Sequence, residues 1–294
     1  MGDNQKVFEE ENRDIQFDYI SGSDIVIDAV RYLERLYQRS PKDILETGIK
    51  YLNFQKEDLV ILASRPYVGS TSFVLSLSSQ LVLHKNISVG FIDPVTKDAI
   101  GQRLLSINSG VSLSKIQCGF VNVDDISKIQ KAAGQFFDAP FYLYNEPNCN
   151  FKAIKKNAIS MAMEKHIQLL IVDGFEYIQE IVDSDEKNLR INQAWLLSEF
   201  KSIAVELHLP VILVMKLPET RKNTEPILQD FRASMLIPNK ADKVLFIHRS
   251  GLYSNGNKED AKLIIAKNSI GPKGCMRLNY LPFSGKFFYD DEEY

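Results

Sequence analysis

Hydrophobic and polar positions divide the chain into short apolar runs that alternate with amphipathic stretches. The runs Asp58–Ala63, Ile87–Asp93 and Gln168–Asp173 are rich in apolar residues, which is typical of buried parallel strands. The pattern predicts further strands at Phe141–Tyr144, Pro210–Leu217, Val244–His248, Ala261–Ala266 and Met276–Tyr280, and helices at Asp24–Arg39, Thr71–Leu83, Lys97–Ser109, Ile126–Phe137, Phe151–Lys165 and Asn188–His208. This alternation predicts an α/β fold with a mostly parallel central sheet, flanking helices and a β-rich C-terminal end.

The two ends of the chain differ in composition from the middle. Residues 1–22 are polar and acidic and read as a flexible arm, and residues 291–294 form an acidic tail. The segment 23–46 carries an amphipathic helix, for which Ser23 is the predicted N-cap. Its apolar face lacks an obvious local partner, so we expect this linker-like helix to dock on a neighbouring subunit or to lie exposed. Residues 47–290 form the predicted core domain.

Composition narrows the class of protein. The chain has 294 residues and a net charge of −3. It therefore lacks the overall positive charge typical of nucleic-acid-binding proteins, but this net charge allows a locally basic loop. Its three cysteines, Cys118, Cys149 and Cys275, are widely spaced and indicate free thiols in a reducing compartment. The N-terminal residues do not read as a signal peptide, and no apolar run approaches the roughly 20 residues of a membrane span. We therefore expect a cytoplasmic protein.

The segment between Asp58 and Leu83 combines a strand, a tight loop and a helix, which is the setting of a phosphate-binding loop. The P-loop pattern requires Gly, four residues, Gly, Lys and then Ser or Thr. Here those positions hold Ser64, Gly69, Ser70 and Thr71, so the lysine is absent. On this evidence alone, an ordinary strand-to-helix turn remains the alternative.

Other polar residues follow the predicted strands. In open α/β sheets ligands bind at the carboxyl ends of the strands, so Asp93, Asp173 and Lys216 are expected at the same edge as the 64–71 loop. Asp173 has the position of a magnesium-orienting acid in P-loop ATPases. The alternative is that its carboxylate only caps the following turn.

Taken in order, these landmarks resemble the C-terminal, RecA-like P-loop domain of DnaB-type replicative helicases, from about Asp24 to Phe288. The motifs that carry the resemblance are Leu62–Thr71 for the family's "A-R-P-S-M-G-K-T", Leu170–Asp173 for the strand with its acid, Pro226–Arg232 for "P-x-L-S-D-L-R", Ala241–Arg249 for "A-D-V-V-L-F-I-Y-R" and Ile265–Gly274 for "I-A-K-N-R-N-G-P-T-G". The resemblance implies a RecA fold. It also implies that only the linker-like helix precedes the core and that the family's separate N-terminal helical domain is missing.

The resemblance also implies a set of functional residues. ATP would be bound by Arg65, Pro66, Gly69, Ser70, Thr71 and Lys216, Mg²⁺ by Thr71 and Asp173, and single-stranded DNA by Arg221, Lys222, Arg232 and Ser234, while Asp93 and Lys267 would have catalytic roles. The implied partners are other copies of the chain or a replicative helicase. The alternative for the basic residues is a solvated loop.

Several positions depart from the family's pattern. Ser70 replaces the P-loop lysine, Asp93 stands one carbon short at the catalytic glutamate, and Ser269 replaces the arginine finger. Glu176 and Lys216 each replace a glutamine. Because an arginine finger contributes about 10³–10⁵ in rate, we expect hydrolysis to be lost or strongly weakened, leaving a binding or assembly module of DNA replication.

Two alternatives remain open. One is an active 5′–3′ DNA helicase in which Lys216 and Lys267 take over the missing charges, and the other is a RecA-like enzyme or regulator unrelated to DNA. For Lys216 itself, either the ammonium enters the volume near Ser70, or it faces solvent or pairs with Glu176 or Asp93.

Overall fold

The computed structural model describes residues 21–37, 43–93, 97–147, 149–185, 187–219, 224–231, 236–252 and 259–289. The chain divides into two compact units, one ending at Asp43 and one beginning at Ile44. Over the described residues, no helix is both long enough and apolar enough to cross a membrane.

The first unit contains helix α1, Gly22–Tyr37. Ser21 precedes the helix, and its Oγ accepts the Asp24 backbone N–H at 3.1 Å. The predicted cap, Ser23, instead lies inside the first turn, so that prediction was wrong by two residues; both serines satisfy the local sequence preference, and only the backbone geometry selects one. Val26, Val30 and Leu33 are exposed in the structure.

The second unit begins with a two-stranded hairpin and continues as alternating strands and helices. Its strands are β1 Ile44–Ile49, β2 Leu52–Gln55, β3 Leu59–Ser64, β4 Val89–Ile92, β5 Phe141–Tyr144, β6 Leu169–Asp173, β7 Val211–Lys216, β8 Lys243–His248, β9 Asp260–Asn268, β10 Gly274–Leu281 and β11 Lys286–Phe288. Its α-helices are α2 Ser70–His84, α3 Lys97–Ser109, α4 Leu113–Cys118, α5 Val123–Phe137, α6 Phe151–Lys165, α7 Gln179–Val182, α8 Leu189–Leu207 and α9 Leu236–Lys240.

The main sheet has the order β11-β10-β9-β8-β3-β7-β6-β4-β5 among the described residues. The six strands from β8 to β5 run parallel, and β9, β10 and β11 pair antiparallel at the C-terminal end. The parallel sheet and the β-rich end are therefore confirmed. The carboxyl ends of β3, β4, β6 and β7 lie at one edge, as the alternation predicts.

Two hydrophobic layers cover the two faces of the sheet. Phe73, Leu77 and Leu81 of α2 pack on one face, where the 44–55 hairpin also buries Leu52 and Phe54. Ile154 of α6 and Phe200 of α8 belong to the other layer. Every residue of β3, β4, β6 and β8 is buried, which explains why these strands read as continuous apolar runs. The hairpin, the strand β11 and the helices α4, α7 and α9 were not predicted, because each is too short to show a clear hydrophobic period.

Candidate functional site

The loop between β3 and α2 is the segment that the sequence predicts to bind phosphate. Gly69 precedes α2 with φ of +108°, in the left-handed region that favours glycine. A Cβ at this position would lie 3.2 Å from the Phe287 ring, so the close approach of β11 also requires glycine. Among the described residues no side chain caps the start of α2, and its first turn has no acidic residue. The amides of this turn and the helix dipole therefore favour an anion.

Two buried arginines hold this loop from within the protein. The Arg65 guanidinium donates to the Pro218 carbonyl oxygen at 2.7 Å and to Asp230 Oδ2 at 3.0 Å. The Arg249 guanidinium lies 3.7 Å from the centre of the Tyr280 ring and donates to the Val68 carbonyl oxygen at 3.4 Å. Arg65 thus lies in an ion pair that connects the loop to the 228–231 segment. Its binding to nucleotide, and that of the adjoining Pro66, stays a prediction.

Lys216 brings a positive charge to the position of the absent P-loop lysine. It is the last residue of β7 and pairs in register with Ser64, the last residue of β3. Its Nζ donates a hydrogen bond of 2.9 Å to Oγ of Ser70, the residue that replaces that lysine. The ammonium thus contacts Ser70, as one of the two expectations for Lys216 has it, while the residue as a whole is exposed. That Lys216 binds a phosphate stays a prediction.

Asp173 lies at the end of β6, beside the Thr71 side chain. Asp173 is only 4% exposed, and its Oδ2 meets no donor among the described residues. Burial raises the pKa of the Asp173 carboxyl, while the Thr71 side chain and the charges of Lys216 and Arg103 oppose that rise. A carboxylate oxygen that is buried without a donor, beside a threonine hydroxyl, fits a hard divalent cation such as Mg²⁺.

Glu176 lies three residues beyond Asp173, in the short 3₁₀ helix Phe175–Tyr177. Its Oε1 accepts the backbone N–H of Lys216, and its Oε2 is buried without a partner in the described part of the chain. Burial raises the pKa of the Glu176 carboxyl, the Lys216 N–H and ammonium oppose that rise, and Asp173 adds to it. Glu176 contacts the Lys216 backbone, whereas the Lys216 ammonium contacts Ser70.

Asp93 follows β4 and is 2% exposed. Its backbone N–H donates to the Tyr144 carbonyl at 3.2 Å, and its own carbonyl accepts from Asn145 Nδ2 at 2.5 Å. Strands β7 and β6 separate β4 from β3. Asp93 lies at the predicted edge of the sheet, and its catalytic role stays a prediction.

Lys267 is engaged within its own chain. Its Nζ donates to three backbone carbonyls at the end of α9, those of Pro238, Asn239 and Ala241, at 2.9, 3.2 and 2.6 Å. Here the ammonium satisfies carbonyls that a helix end leaves without partners. The neighbouring Ser269 hydroxyl donates to the Asp242 carbonyl at 2.9 Å.

The four residues predicted to bind DNA, Arg221, Lys222, Arg232 and Ser234, lie outside the described residues. Three residues to which the sequence assigned no binding or catalytic role also influence this site. Glu176 and Arg103 act on the charges around Asp173, and Arg249 supports the phosphate loop. Sequence reasoning noted Glu176 as a departure from a pattern and as one possible partner of Lys216. Its contact with Lys216 depends on the pairing of β6 with β7, which local sequence does not specify.

Comparison with known proteins agrees with this geometry. The model of the DnaB-like helicase C-terminal domain matches residues 45–288. The replicative DNA helicase DnaB of Treponema pallidum is 29% identical over 265 residues, which cover 87% of this chain and 58% of that protein. A probable plasmid replicative DNA helicase of Chlamydia psittaci is 28% identical, over 85% of this chain and 56% of the relative. The chain therefore spans somewhat more than half the length of these relatives.

Solved structures share the fold. One of them, an ATPase domain, superposes with a TM-score of 0.77 at 20% identity, covering 91% of this chain and 99% of that domain. A DnaB-like replicative helicase, whose study also concerns its interactions with primase, superposes with a TM-score of 0.76 at 19% identity. This second superposition covers 97% of this chain and 70% of the helicase.

Proposed function

Because the model of the family's C-terminal domain matches residues 45–288, this chain belongs to the DnaB-like helicase family, and we propose that it is a nucleotide-binding module of DNA replication. We further propose that its hydrolysis of the nucleotide is strongly weakened. The ligand proposed is a nucleoside triphosphate such as ATP with Mg²⁺. The observation that carries the proposal is the hydrogen bond from the Lys216 ammonium to Ser70 Oγ, at the position of the family's P-loop lysine.

Phosphate binding is supported by donors from one helix, α2, and one strand, β7. The first-turn amides of α2, from Ser70 onward, meet no side-chain cap within the described part of the chain, and Gly69 lets the backbone approach closely. Lys216 adds a cation from β7, adjacent to β3 in the sheet. A charged donor that is already positioned contributes more to anion binding than the same group free in solution, because less conformational entropy is lost. The site thus keeps both kinds of donor that a P-loop uses.

Magnesium binding is supported by Thr71 and Asp173. The two side chains lie beside each other, and Oδ2 of Asp173 is buried without a donor among the described residues. When bound, Mg²⁺ supplies positive charge to the phosphate oxygens. The bound cation would also lower the pKa of Asp173 and so oppose the effect of burial, because a positive charge favours the ionised carboxylate.

Weak hydrolysis is proposed from the groups that would act on the transferring phosphoryl group. Asp93 has a side chain one carbon shorter than glutamate, and Ser269 has no charge to offer to a neighbouring subunit. Lys267 already donates to three carbonyls of its own chain. Removing one preorganised donor lowers kcat by about 10²–10³. A motor with these substitutions would turn over too slowly to move along DNA.

A second candidate function is an active ATP-dependent helicase in which Lys216 replaces the P-loop lysine and Lys267 replaces the arginine finger. The Lys216–Ser70 contact favours this candidate as much as the first. The three bonds of Lys267 within its own chain do not favour it. Turnover therefore separates the two candidates, whereas nucleotide binding does not.

Proposed partners follow from the family. Single-stranded DNA would be bound by Arg221, Lys222, Arg232 and Ser234. The chain would assemble with other copies of itself or with a replicative helicase, and exposed Val26, Val30 and Leu33 of α1 offer an apolar surface for that contact.

The test measures binding and turnover on one preparation. Calorimetric titration with ATP and Mg²⁺ is expected to show binding by the wild type, and Lys216→Gln is expected to weaken it by about 10–100-fold, the scale of a charge-assisted hydrogen bond. Lys262→Gln is the control, because that lysine lies on β9 and pairs with Glu225. Absence of wild-type binding at millimolar ATP would overturn the proposal.

Turnover is measured with and without single-stranded DNA. The double variant Ser70→Lys with Lys216→Gln restores the family's lysine on the loop and should recover the nucleotide affinity that Lys216→Gln loses. Low turnover of the wild type, with or without DNA, supports the module. Turnover stimulated by DNA to the roughly 1–10³ s⁻¹ of ordinary enzymes would instead support the helicase.

A further inference from the structure

Glu176 stands where the paired part of β6 ends and β7 continues. The β6–β7 ladder ends with Asp173 opposite Val214, so Lys216 has no residue of β6 beside it. After Asp173, Gly174 takes a left-handed conformation with φ of +102° and the chain turns into a 3₁₀ helix. This turn brings the Glu176 carboxylate to the Lys216 backbone N–H. A side chain therefore supplies the acceptor that a longer β6 would have supplied from its backbone.

The end of β7 is consequently held on both of its edges. On the β6 side the Lys216 N–H donates to Glu176, and on the β3 side the next residue, Leu217, donates its N–H to the Ser64 carbonyl at 2.8 Å. Alternate N–H groups of a strand point to opposite neighbours, so these two bonds share no donor. Together they orient the Cα–Cβ bond of Lys216, from which the ammonium reaches Ser70 Oγ at 2.9 Å.

We infer that Glu176 is the positioning residue for the phosphate-site lysine: its carboxylate holds the end of β7 so that the Lys216 ammonium lies at the phosphate loop. This inference rests on the proposed nucleotide site and adds to it a residue that acts through Lys216. Glu176 makes no contact with the ligand in this assignment. Its negative charge would oppose a phosphate, so what it contributes is the acceptor and not the charge.

Orientation matters here because lysine has a long, flexible side chain. Its ammonium sits on a flexible four-carbon stem that samples many conformers, and a frayed strand end would add backbone freedom. When the strand end is fixed, fewer conformers compete with the one that meets Ser70. The glycine before the 3₁₀ helix serves the same end, since it lets the turn place Glu176 beside β7.

The experiment is a double-mutant cycle on affinity for ATP with Mg²⁺. Glu176→Ala is expected to weaken binding by about tenfold, the scale of one hydrogen bond to a charged group. In the Lys216→Gln background the same change is expected to weaken binding less than about twofold, because the lysine is already gone. Glu176→Gln keeps an acceptor for the N–H and is expected to bind ATP at least as well as the wild type.

Glu180→Ala is the matched control. Glu180 is also a carboxylate that accepts a backbone N–H, that of Phe151 at 3.0 Å, but it serves the start of α6. The Glu180→Ala variant should change the stability of the protein without changing its affinity for ATP. An equal effect of Glu176→Ala with and without Lys216, or no effect in the wild type, would overturn the inference while leaving the proposed nucleotide site intact.

A second measurement needs no nucleotide. The rate at which an N-hydroxysuccinimide ester acylates Lys216, followed by mass spectrometry, should rise several-fold in Glu176→Ala as the ammonium leaves Ser70, while the rate at Lys262 stays constant. If the wild type binds no ATP, the proposed function fails and this rate alone decides the inference. An unchanged rate at Lys216 would then refute it.

Discussion

Breaking the ion pair between Arg65 and Asp230 tests whether Arg65 stabilises the fold or binds the nucleotide. Both side chains are buried, at 2% and 7% exposure, and 3.0 Å separates Arg65 Nη2 from Asp230 Oδ2. The same carboxylate oxygen accepts the Ile227 backbone N–H at 3.1 Å. In Asp230→Ala, the guanidinium would stay buried without this carboxylate, and the Ile227 N–H would lose its acceptor.

The expected cost follows from burial. Removing one partner of a buried pair costs about 3–5 kcal/mol, because the remaining charge is left uncompensated. The Arg65 Nε has no partner among the described residues, and the Pro218 carbonyl offers only part of the compensation. For a domain of this size about 1 kcal/mol corresponds to about 2–4 °C in Tm, so Asp230→Ala should melt at least about 6 °C below the wild type.

The assay combines thermal unfolding with ATP titration below the transition. Glu225→Ala is the control, since its pair with Lys262 is half exposed and should contribute about 1 kcal/mol or less. Conversely, Asp230→Ala with wild-type stability and lowered ATP affinity would refute the reasoning. It would show that Arg65 serves the nucleotide, as the resemblance implies.

Three further predictions concern other parts of the molecule. Lys267→Ala should lower the free energy of unfolding by about 1–3 kcal/mol in denaturant, because three carbonyls at the end of α9 lose a charged donor; unchanged stability with reduced DNA-stimulated turnover would instead indicate a finger. Burial raises the folded-state pKa of Glu176 above its ordinary value of 4.5, so the stability from its protonation is present at low pH and lost as pH rises through the folded pKa. Glu176→Gln should therefore reduce the decline in stability that begins as pH rises above 4.5, a slope of at most about 1.4 kcal/mol per pH unit, and an unchanged slope would contradict this. Deleting residues 1–40 should lower the mass of any assembly seen by light scattering, since the apolar side chains of α1 would be lost, whereas an unchanged mass would count against docking by that helix.

Local sequence determined the strands of the parallel sheet and the longer helices. The central strands of the parallel sheet are buried on both faces, so nearly every position in them holds an apolar residue. Such continuous apolar runs are easy to recognise in the sequence. The helices α3 and α6 have the predicted bounds, Lys97–Ser109 and Phe151–Lys165. Parallel strands joined by helices must place their carboxyl ends on one side, which is why Asp173 and Lys216 could be assigned to the same edge beforehand.

Tertiary structure alone decided how the polar side chains of that edge are paired. Arg65 is bonded to Asp230, 165 residues away in sequence, and Lys216 to Ser70, 146 residues away. The order of the strands, with β7 between β3 and β6, sets both contacts, and it depends on packing across the whole sheet. A long charged side chain has many conformers of similar energy, and only its buried partners select one of them. The sequence could therefore propose residues for the candidate site, with Glu176 as one possible partner of Lys216. The contact of Glu176 with the Lys216 backbone and the direction of Arg65 could be read only from the folded chain.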